Sequence, residues 1–194
     1  MNEFEDIQGI DIYFLDQILK GRISKSDKIL DAGCGSGRNI HLLLNKGYDV
    51  YGFDQNKEVI DLLKENYKTL EKRFEISSVS DYKSPFKFDF IICNAVLHFA
   101  YGHDHFDKMI SNLSKLLARD GILFIRMTSN IGLEHVLVHN NSGIYVLPDE
   151  STRYLITRDK IDSMIETHKL KLLEPVKTVF VDGLRSMTTL IMSK

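Results

Sequence analysis

Residues 29–39 read ILDAGCGSGRN, and this stretch decides the fold. Residues 28–30 predict a short buried strand, and glycines follow at alternate positions, Gly33, Gly35 and Gly37, before a helical pattern begins. Glycine lets the backbone turn tightly and lets a ligand approach it closely. The first turn of the following helix offers unpaired N–H groups and a partial positive charge, which suit a carboxylate or a phosphate. The stretch therefore predicts a strand, loop and helix that hold a ligand.

Strands and helices alternate on both sides of this unit. Helical periodicity marks residues 9–20, 40–47, 56–70 and 109–117, and strand-like runs occupy 50–53, 74–76, 88–94 and 122–127. The run at 88–94 is dense in aromatic and β-branched residues, which is typical of a strand buried on both faces. Such alternation predicts an α/β fold with a mainly parallel sheet.

The end of the chain adds one helix and two strands. Thr157 is predicted to cap a helix that runs to His168. Residues 177–181 and 187–192 predict strands with only five residues between them. A parallel crossover needs about a dozen residues or more, so these two strands are expected to form an antiparallel hairpin.

Residues 128–156 break the alternation. They show no clear period and include Gly132, Gly143 and Pro148. A long irregular stretch inside a compact domain is often functional. We interpret it as an irregular insertion that forms a substrate lid, with an ordinary surface loop as the alternative. Its candidate side chains are His135, His139, Tyr145, Arg153 and Tyr154.

Composition limits the class of protein. The chain has 194 residues, with 25 Lys plus Arg against 27 Asp plus Glu, so its formal net charge is −2. This length predicts a single domain over 1–194, in which residues 1–24 form an N-terminal helical segment. Hydrophobic residues make up 43%, which excludes disorder as the main state. The balanced charge does not indicate a nucleic-acid partner.

Other features predict a cytoplasmic protein without a membrane span. No apolar run approaches the roughly 18 residues that a span needs. Residues 1–6 are acidic where a signal peptide would be basic. Two cysteines are too few for a disulfide framework. No metal-binding spacing is present, so no metal is expected, and the oligomeric state is left open.

The charges around the glycine loop favour a cationic cofactor. The spacing is Gly-x-Gly-x-Gly rather than the dinucleotide pattern Gly-x-Gly-x-x-Gly, and Asp31 precedes the first glycine. A carboxylate repels a pyrophosphate and attracts the ammonium and sulfonium of S-adenosylmethionine. Asp54 ends the second strand, seventeen positions beyond Gly37. There it is expected to accept hydrogen bonds from ribose hydroxyls, with helix capping as the alternative.

Taken together, these motifs make the sequence resemble the class I S-adenosylmethionine-dependent methyltransferases. The resemblance rests on LDAGCGSG at 30–37, GFD at 52–54 and FDFIICNAVLH at 88–98. It covers about residues 25–127, and the C-terminal part by topology. Residues 33–39 and 47–50 look like the small bacterial branch that includes tellurite-resistance methyltransferases. The resemblance implies a Rossmann-like, doubly wound, mainly parallel seven-stranded sheet with a C-terminal antiparallel hairpin.

The resemblance assigns the glycine loop to the cofactor. The backbone that lines its methionine and ribose parts is expected to come from Gly33, Cys34, Gly35 and Gly37. Asp31 is expected near its ammonium. The family topology places the strands next to Cys34 and around Cys93 side by side, so the thiols are expected near each other, without a disulfide in a reducing compartment.

The adenosine half of the cofactor is assigned to three further segments. Asp54 is expected to hold the ribose, with Gln55 beside the adenine. Relatives often place an acid after the third strand, where this sequence has Ser78. We predict that Ser78 and the Val79 backbone meet the adenine, with Asp81 as the alternative.

Residues after the strand at 88–94 are expected to face the reacting methyl group. The resemblance assigns Asn94 and Ala95 to that position. His98 follows, and we interpret it as the catalytic candidate, a base or an orienting group, with a structural histidine as the alternative. Arg38 is a candidate partner of the cofactor carboxylate, and Arg126 of a substrate anion or a buried ion pair.

The expected function is methyl transfer from S-adenosylmethionine to a small-molecule acceptor. A chain of 194 residues leaves no room for an appended domain that would recognise protein or nucleic acid. Two other hypotheses stay open. One is a protein that binds S-adenosylmethionine without catalysis, and the other is a nicotinamide-dependent oxidoreductase.

Overall fold

The fold is built on one mixed sheet. The computed structural model describes residues 7–135, 137, 141–148 and 150–194. Four neighbouring pairs in the order β3-β2-β1-β4-β5 are parallel. These strands are β1 Lys28–Ala32, β2 Asp49–Asp54, β3 Phe74–Ile76, β4 Phe88–Asn94 and β5 Leu117–Ser129. The order reverses at β1, where a ligand crevice is expected at the carboxyl ends of the strands.

The sheet ends in the antiparallel hairpin that the sequence predicts. β10 (Arg185–Ser193) pairs with β5 along one edge and with β9 (Lys177–Val181) along the other. A two-residue strand, β8 (Lys171–Leu172), pairs with the same edge of β10 further along. The eight strands therefore occupy seven positions, because β8 and β9 share one place beside β10.

Helices cover both faces of the sheet. They are α1 Ile12–Leu19, α2 His41–Asn45, α3 Lys57–Asn66, α4 His103–Leu116 and α5 Arg158–His168, with 3-10 turns at Lys68–Arg73 and Leu97–Phe99. The predicted helix at 56–70 ends at Asn66 and tightens into a 3-10 turn. Thr157 caps α5 as predicted, since its Oγ1 accepts the Lys160 N–H at 3.1 Å.

Two apolar clusters fill the spaces between the sheet and the helices. Successive residues of β1 point to opposite faces, so Ile29 enters one cluster and Leu30 the other. α1, α2 and α3 pack on the Ile29 side, and α4 and α5 on the Leu30 side. Cys34 and Cys93 are buried free thiols in opposite clusters.

The stretch at 128–156 holds more regular structure than the expected irregular insertion. β5 extends to Ser129, and β6 (Ile144–Val146) pairs antiparallel with β7 (Thr152–Tyr154). Three-residue strands are too short to show a sequence period. Tyr154 is fully buried, and its ring stacks on Phe106 with centroids 4.7 Å apart.

Two features are absent from the described residues. None of the helices in those ranges combines the length and apolarity that a membrane crossing needs. Over the same part of the chain, no three His, Cys, Asp or Glu side chains gather as metal ligands would.

Candidate active site

The glycine loop is fastened to the end of β2 by backbone hydrogen bonds. The N–H groups of Gly33 and Cys34 both donate to the carbonyl oxygen of Phe53, at 2.9 and 3.0 Å. The N–H of Gly35 donates to Oδ2 of Asp54 at 2.9 Å. The loop and the carboxylate that the sequence assigns to one cofactor therefore lie together.

Steric contacts require glycine at the start of the loop. Gly33 has a φ of +79°, and a Cβ placed there would lie 2.4 Å from Cγ2 of Val96. At Gly35, by contrast, a Cβ would meet no heavy atom within 4 Å. The loop thus packs on one side and leaves open space at its tip, as a ligand cradle does.

Asp31 is a buried carboxyl group beneath this loop. It is 1% exposed, and its Oδ2 has no hydrogen-bond partner among the described residues. Burial raises the pKa of Asp31 to about 7, Arg38 opposes that shift, and Asp54 adds to it. A buried carboxylate without a partner is unfavourable, so the site is suited to a cationic ligand.

The end of β4 carries two further unusual features. Both side-chain polar atoms of Asn94 are buried without a partner in the described part of the chain. Ala95 has a φ of +61°, and its N–H donates to the carbonyl oxygen of Arg126 at 2.8 Å. A non-glycine residue in this region of φ is strained, and such strain clusters at ligand sites.

A cavity of about 180 Å³ joins the ends of β1, β2 and β4. Six of its lining residues are among the predicted cofactor ligands: Gly33, Asp54, Gln55, Val79, Asn94 and Ala95. The others are Phe53, Ser77, Val96 and Phe99. The topology therefore brings together residues from four segments that are far apart in the sequence.

The segment after β3 presents different side chains from those expected. Ser77 and Val79 line the cavity, whereas the Ser78 hydroxyl donates to Oδ2 of Asp81 at 2.5 Å. Asp81 also forms an ion pair with Lys108 at 2.9 Å. The assignment of Ser78 stays a prediction, and Ser77 is a cavity residue that sequence reasoning missed.

A second cavity of about 440 Å³ shares one lining residue, Ala95, with the first. Predicted candidates on its wall are Arg38, His98, Arg126 and Arg153. Sequence reasoning missed the others: Thr128, Leu147, Ser151, Val181, Arg185 and Met187. Strand alternation could have found some of them, because residues two positions apart on a strand point to the same face. Thr128 follows Arg126 by two positions, and Met187 follows Arg185 by two.

His98 lies in the 3-10 turn that follows β4. It is 8% exposed, and its Nδ1 is buried with no hydrogen-bond partner within the described residues. Burial lowers the pKa of His98 to about 4, and the positive charge of Arg153 adds to this effect. The imidazole is therefore neutral at neutral pH, and its buried Nδ1 is left without a partner among the described residues.

Arg126 connects the N-terminal helix to the site. Its Nη1 lies 3.2 Å from Oδ2 of Asp11, the residue that caps α1. Its guanidinium also lies 5.2 Å from the centre of the Tyr13 ring. The N–H of Asp11 donates to Oδ1 of Asn39 at 3.0 Å, just beyond the glycine loop. Arg126 therefore forms the ion pair predicted from the sequence as the alternative to binding a substrate anion, and it does so at the wall of the larger cavity.

The lid candidates divide between the cavity and the core. Arg153 lines the larger cavity, and its guanidinium lies 5.0 Å from the centre of the Phe99 ring. Tyr154 is fully buried and Tyr145 is 9% exposed, so both act as packing residues. His135 is exposed, and His139 lies outside the described residues.

The fold and the site define a Rossmann-like cofactor-binding protein with an antiparallel last strand. A family model described as a methyltransferase domain matches residues 23–171. The chain belongs to this family, the S-adenosylmethionine-dependent methyltransferase domain.

Two curated relatives illustrate the similarity. The ubiquinone biosynthesis O-methyltransferase of Pelagibacter ubique is 33% identical over 103 residues, which are 52% of this chain and 42% of that protein. A probable S-adenosyl-L-methionine-dependent methyltransferase, TehB of Haemophilus influenzae, is 30% identical over 105 residues, 52% of this chain and 35% of that protein. The chain thus spans less than half the length of these curated relatives.

Solved structures extend the similarity of the fold over nearly the whole chain. The structure of TehB from Haemophilus influenzae has a TM-score of 0.69 at 20% identity, covering 96% of this chain and 63% of that one. Magnesium protoporphyrin IX methyltransferase from Synechocystis, solved with bound S-adenosylmethionine, has a TM-score of 0.69 at 18% identity, covering 97% and 79%.

Proposed function

We propose that the protein transfers a methyl group from S-adenosylmethionine to a small-molecule acceptor. The observation that carries this proposal is that two cavities share Ala95 as a lining residue. One is lined by Gly33 of the glycine loop and by Asp54, and the other by groups that suit an acceptor. A donor and an acceptor bound there would face each other across the strained end of β4.

The cofactor side offers complementary charge and hydrogen bonding. Asp31 supplies a buried carboxyl group beneath the loop, whose ionised form a bound cation would favour, and Asp54 supplies a half-buried carboxylate. Asn94 supplies an amide whose donor and acceptor atoms are both unsatisfied in the described residues. S-adenosylmethionine, when bound, supplies an activated methyl group, so the protein contributes mainly binding and orientation.

His98 is the residue that we assign to handle a proton on the acceptor side. It lines the larger cavity, and its neutral imidazole has an unpartnered Nδ1 among the described residues. A neutral imidazole accepts a hydrogen bond or a proton from an acceptor hydroxyl, amine or thiol. An acceptor without an acidic proton would use His98 only for orientation.

The size of the acceptor cavity supports a small molecule. Its volume of about 440 Å³ lies within the range of pockets that bind such ligands, on the order of 300–1,000 Å³. Two relatives also carry small molecules in their names, the ubiquinone biosynthesis enzyme and the magnesium protoporphyrin IX enzyme. The family match and the relatives do not support an oxidoreductase.

Calorimetry and turnover together test this function. We expect S-adenosylmethionine and S-adenosylhomocysteine to bind and NAD not to bind. Transfer of a labelled methyl group is then measured across small thiols, amines, carboxylates, phenols and metalloid oxyanions. Binding of NAD alone would overturn the proposal. Cofactor binding without turnover of any acceptor would favour the protein that binds without catalysis.

A further inference from the structure

The larger cavity is strongly cationic. Four arginines line it, Arg38, Arg126, Arg153 and Arg185, and none of the other lining residues in the described part of the chain is acidic. A concave wall with charges of one sign raises the local concentration of ligands of the opposite sign. The chain as a whole has a net charge of −2, so this positive cavity is a local feature.

Two of these arginines face carboxylates of the protein. Arg126 pairs with Asp11 at 3.2 Å. Arg38 is close enough to Asp31 to influence its ionisation. Arg153 and Arg185 form no ion pair with any residue that the structure describes. Their charges are the ones available to a ligand.

The strand register places Arg185 away from the reacting centre. Thr189 on β10 is opposite Arg126, and Ser186 is opposite Ser129. Arg185 therefore lies four residues along the ladder from the position opposite Arg126, roughly 13 Å at about 3.3 Å per residue. Arg185 is exposed, whereas the Arg126 side chain is 20% exposed. The charge thus extends from the methyl-transfer centre to the cavity mouth.

Apolar side chains lie between these charges. Leu147 is 3% exposed, Met187 is half-buried, and Val181 is at the mouth. They suit an apolar body rather than a fully hydrated ion. Arg153 leans over the Phe99 ring at 5.0 Å, which holds its guanidinium plane at the wall.

We propose that the acceptor is an organic anion, with an apolar body in the cavity and a carboxylate or phosphate held by Arg153 and Arg185. This inference rests on the proposed function and names the substrate class. The planar guanidinium fork of arginine matches either anion with two parallel hydrogen bonds. Arg185 lies roughly 13 Å along β10 from the position opposite Arg126, so the other end of the molecule can reach toward Ala95 and the transferred methyl group.

Matched probes test the preference for an anion. The protein is loaded with S-adenosylhomocysteine and titrated with 2-naphthoate, 2-naphthyl phosphate and the neutral 2-naphthamide. Binding is followed by naphthalene fluorescence, which no tryptophan obscures because the chain has none. We expect at least one anion to bind about tenfold or more tightly than the amide. The tighter of the two anions identifies the headgroup.

Charge-removing variants identify the arginines. Arg153→Gln and Arg185→Gln are each expected to weaken anion binding about tenfold, with naphthamide binding unchanged. Arg153→Lys keeps the positive charge and loses the planar guanidinium fork, so its affinity for the anion is expected to lie between those of the native chain and Arg153→Gln. Arg119→Gln is the matched control, because this side chain is 96% exposed and pairs weakly with its neighbour Asp120. Thermal unfolding of each variant verifies its fold.

The outcomes separate this inference from the proposed function. Equal binding of anions and amide, or no detectable binding of either anion, overturns the organic-anion acceptor while cofactor binding stands. An anion preference that survives the double Arg153→Gln, Arg185→Gln variant also overturns it. Failure of S-adenosylhomocysteine to bind contradicts the proposed function itself.

Discussion

Arg126 on β5 forms an ion pair with Asp11, the N-cap of α1, with 3.2 Å between Nη1 and Oδ2. The two residues are 115 positions apart, and both side chains are largely buried. The backbone carbonyl of the same arginine accepts the Ala95 N–H. One residue therefore connects the N-terminal helix, the end of β4 and the wall of the acceptor cavity.

Replacing Asp11 by Asn isolates this ion pair from the helix cap. Asn caps a helix as well as Asp does, so the bonds from Tyr13 and Phe14 are expected to persist. The Arg126 side chain is only 20% exposed and would lose its partner, so we expect the free energy of unfolding in urea to fall by about 1–3 kcal/mol. Asp16→Asn, in an exposed network with Lys20, is expected to cost less than about 1 kcal/mol. Equal effects of the two changes would contradict the role given to Asp11.

Gly33→Ala tests the packing of the glycine loop. The new Cβ would lie 2.4 Å from Val96 at a positive φ, so we expect a loss of about 2–4 kcal/mol in stability. Gly47→Ala has a similar φ of +73° and no heavy atom within 4 Å, so about 1 kcal/mol is expected. Val96→Ala in the same chain should restore part of the loss. If the double variant recovered no stability, the contact with Val96 would not be the cause of the loss in Gly33→Ala.

Asp54→Ala tests the ribose assignment. We expect cofactor affinity to fall by about tenfold or more, corresponding to charge-assisted hydrogen bonds of about 1.5–3 kcal/mol. The side chain also accepts from Gly35 and Asn56, so Asp54→Asn, which keeps an acceptor oxygen, is measured beside it. Asp61→Ala on the exposed side of α3 is the control. Unchanged cofactor affinity in a folded Asp54→Ala protein would show that Asp54 does not bind the ribose.

Asp31 is expected to release a proton when the cofactor binds. Its pKa is raised from 3.8 to about 7 by burial, so the free protein holds a proton there at pH 6. A bound cation favours the carboxylate and lowers that pKa. Calorimetry at pH 6 in two buffers of different ionisation heat should report release of up to about one proton. Asp31→Asn should abolish it and weaken binding, whereas equal heats in both buffers for the native chain would refute this role.

The same shift predicts the pH dependence of stability at Asp31. The native group binds a proton that the unfolded group does not hold between pH 3.8 and about 7, so its contribution to stability falls as pH rises through this window. Asp31→Asn should therefore stabilise the free protein at pH 8. Urea unfolding of both proteins at pH 5 and pH 8 measures the difference.

The pH dependence of stability at His98 has the opposite sign to that at Asp31. Its pKa is lowered from 6.5 to about 4, so the unfolded chain binds the extra proton between these values and stability rises with pH across them. His98→Gln should remove a slope worth on the order of 2 kcal/mol across that window. The comparison between native and variant chains cancels the contribution of Asp31. If His98 also accepts a proton from the acceptor, turnover by the His98→Gln variant falls at neutral pH while its cofactor affinity is unchanged.

Local patterns in the sequence determined most of the sheet. Strands 74–76 and 88–94 were predicted with their observed bounds, and the five-residue connection predicted the antiparallel end. The position of Asp54 at the end of β2 follows from its place at the end of an apolar run. These features depend on neighbours within a few positions, which a sequence displays directly.

The acceptor side was decided by tertiary structure. Arg185 and Met187 share a cavity with Arg126 and Thr128 because of the β5–β10 register, which pairs residues about 60 positions apart. Neither the pairing of Asp11 with Arg126 nor the turn of Ser78 toward Asp81 has a sequence period. The sequence by itself determined the strands of the sheet, the glycine loop and the resemblance to the family. Which charges meet around Ala95 was decided by how distant strands align, because side-chain convergence follows from register and not from local pattern.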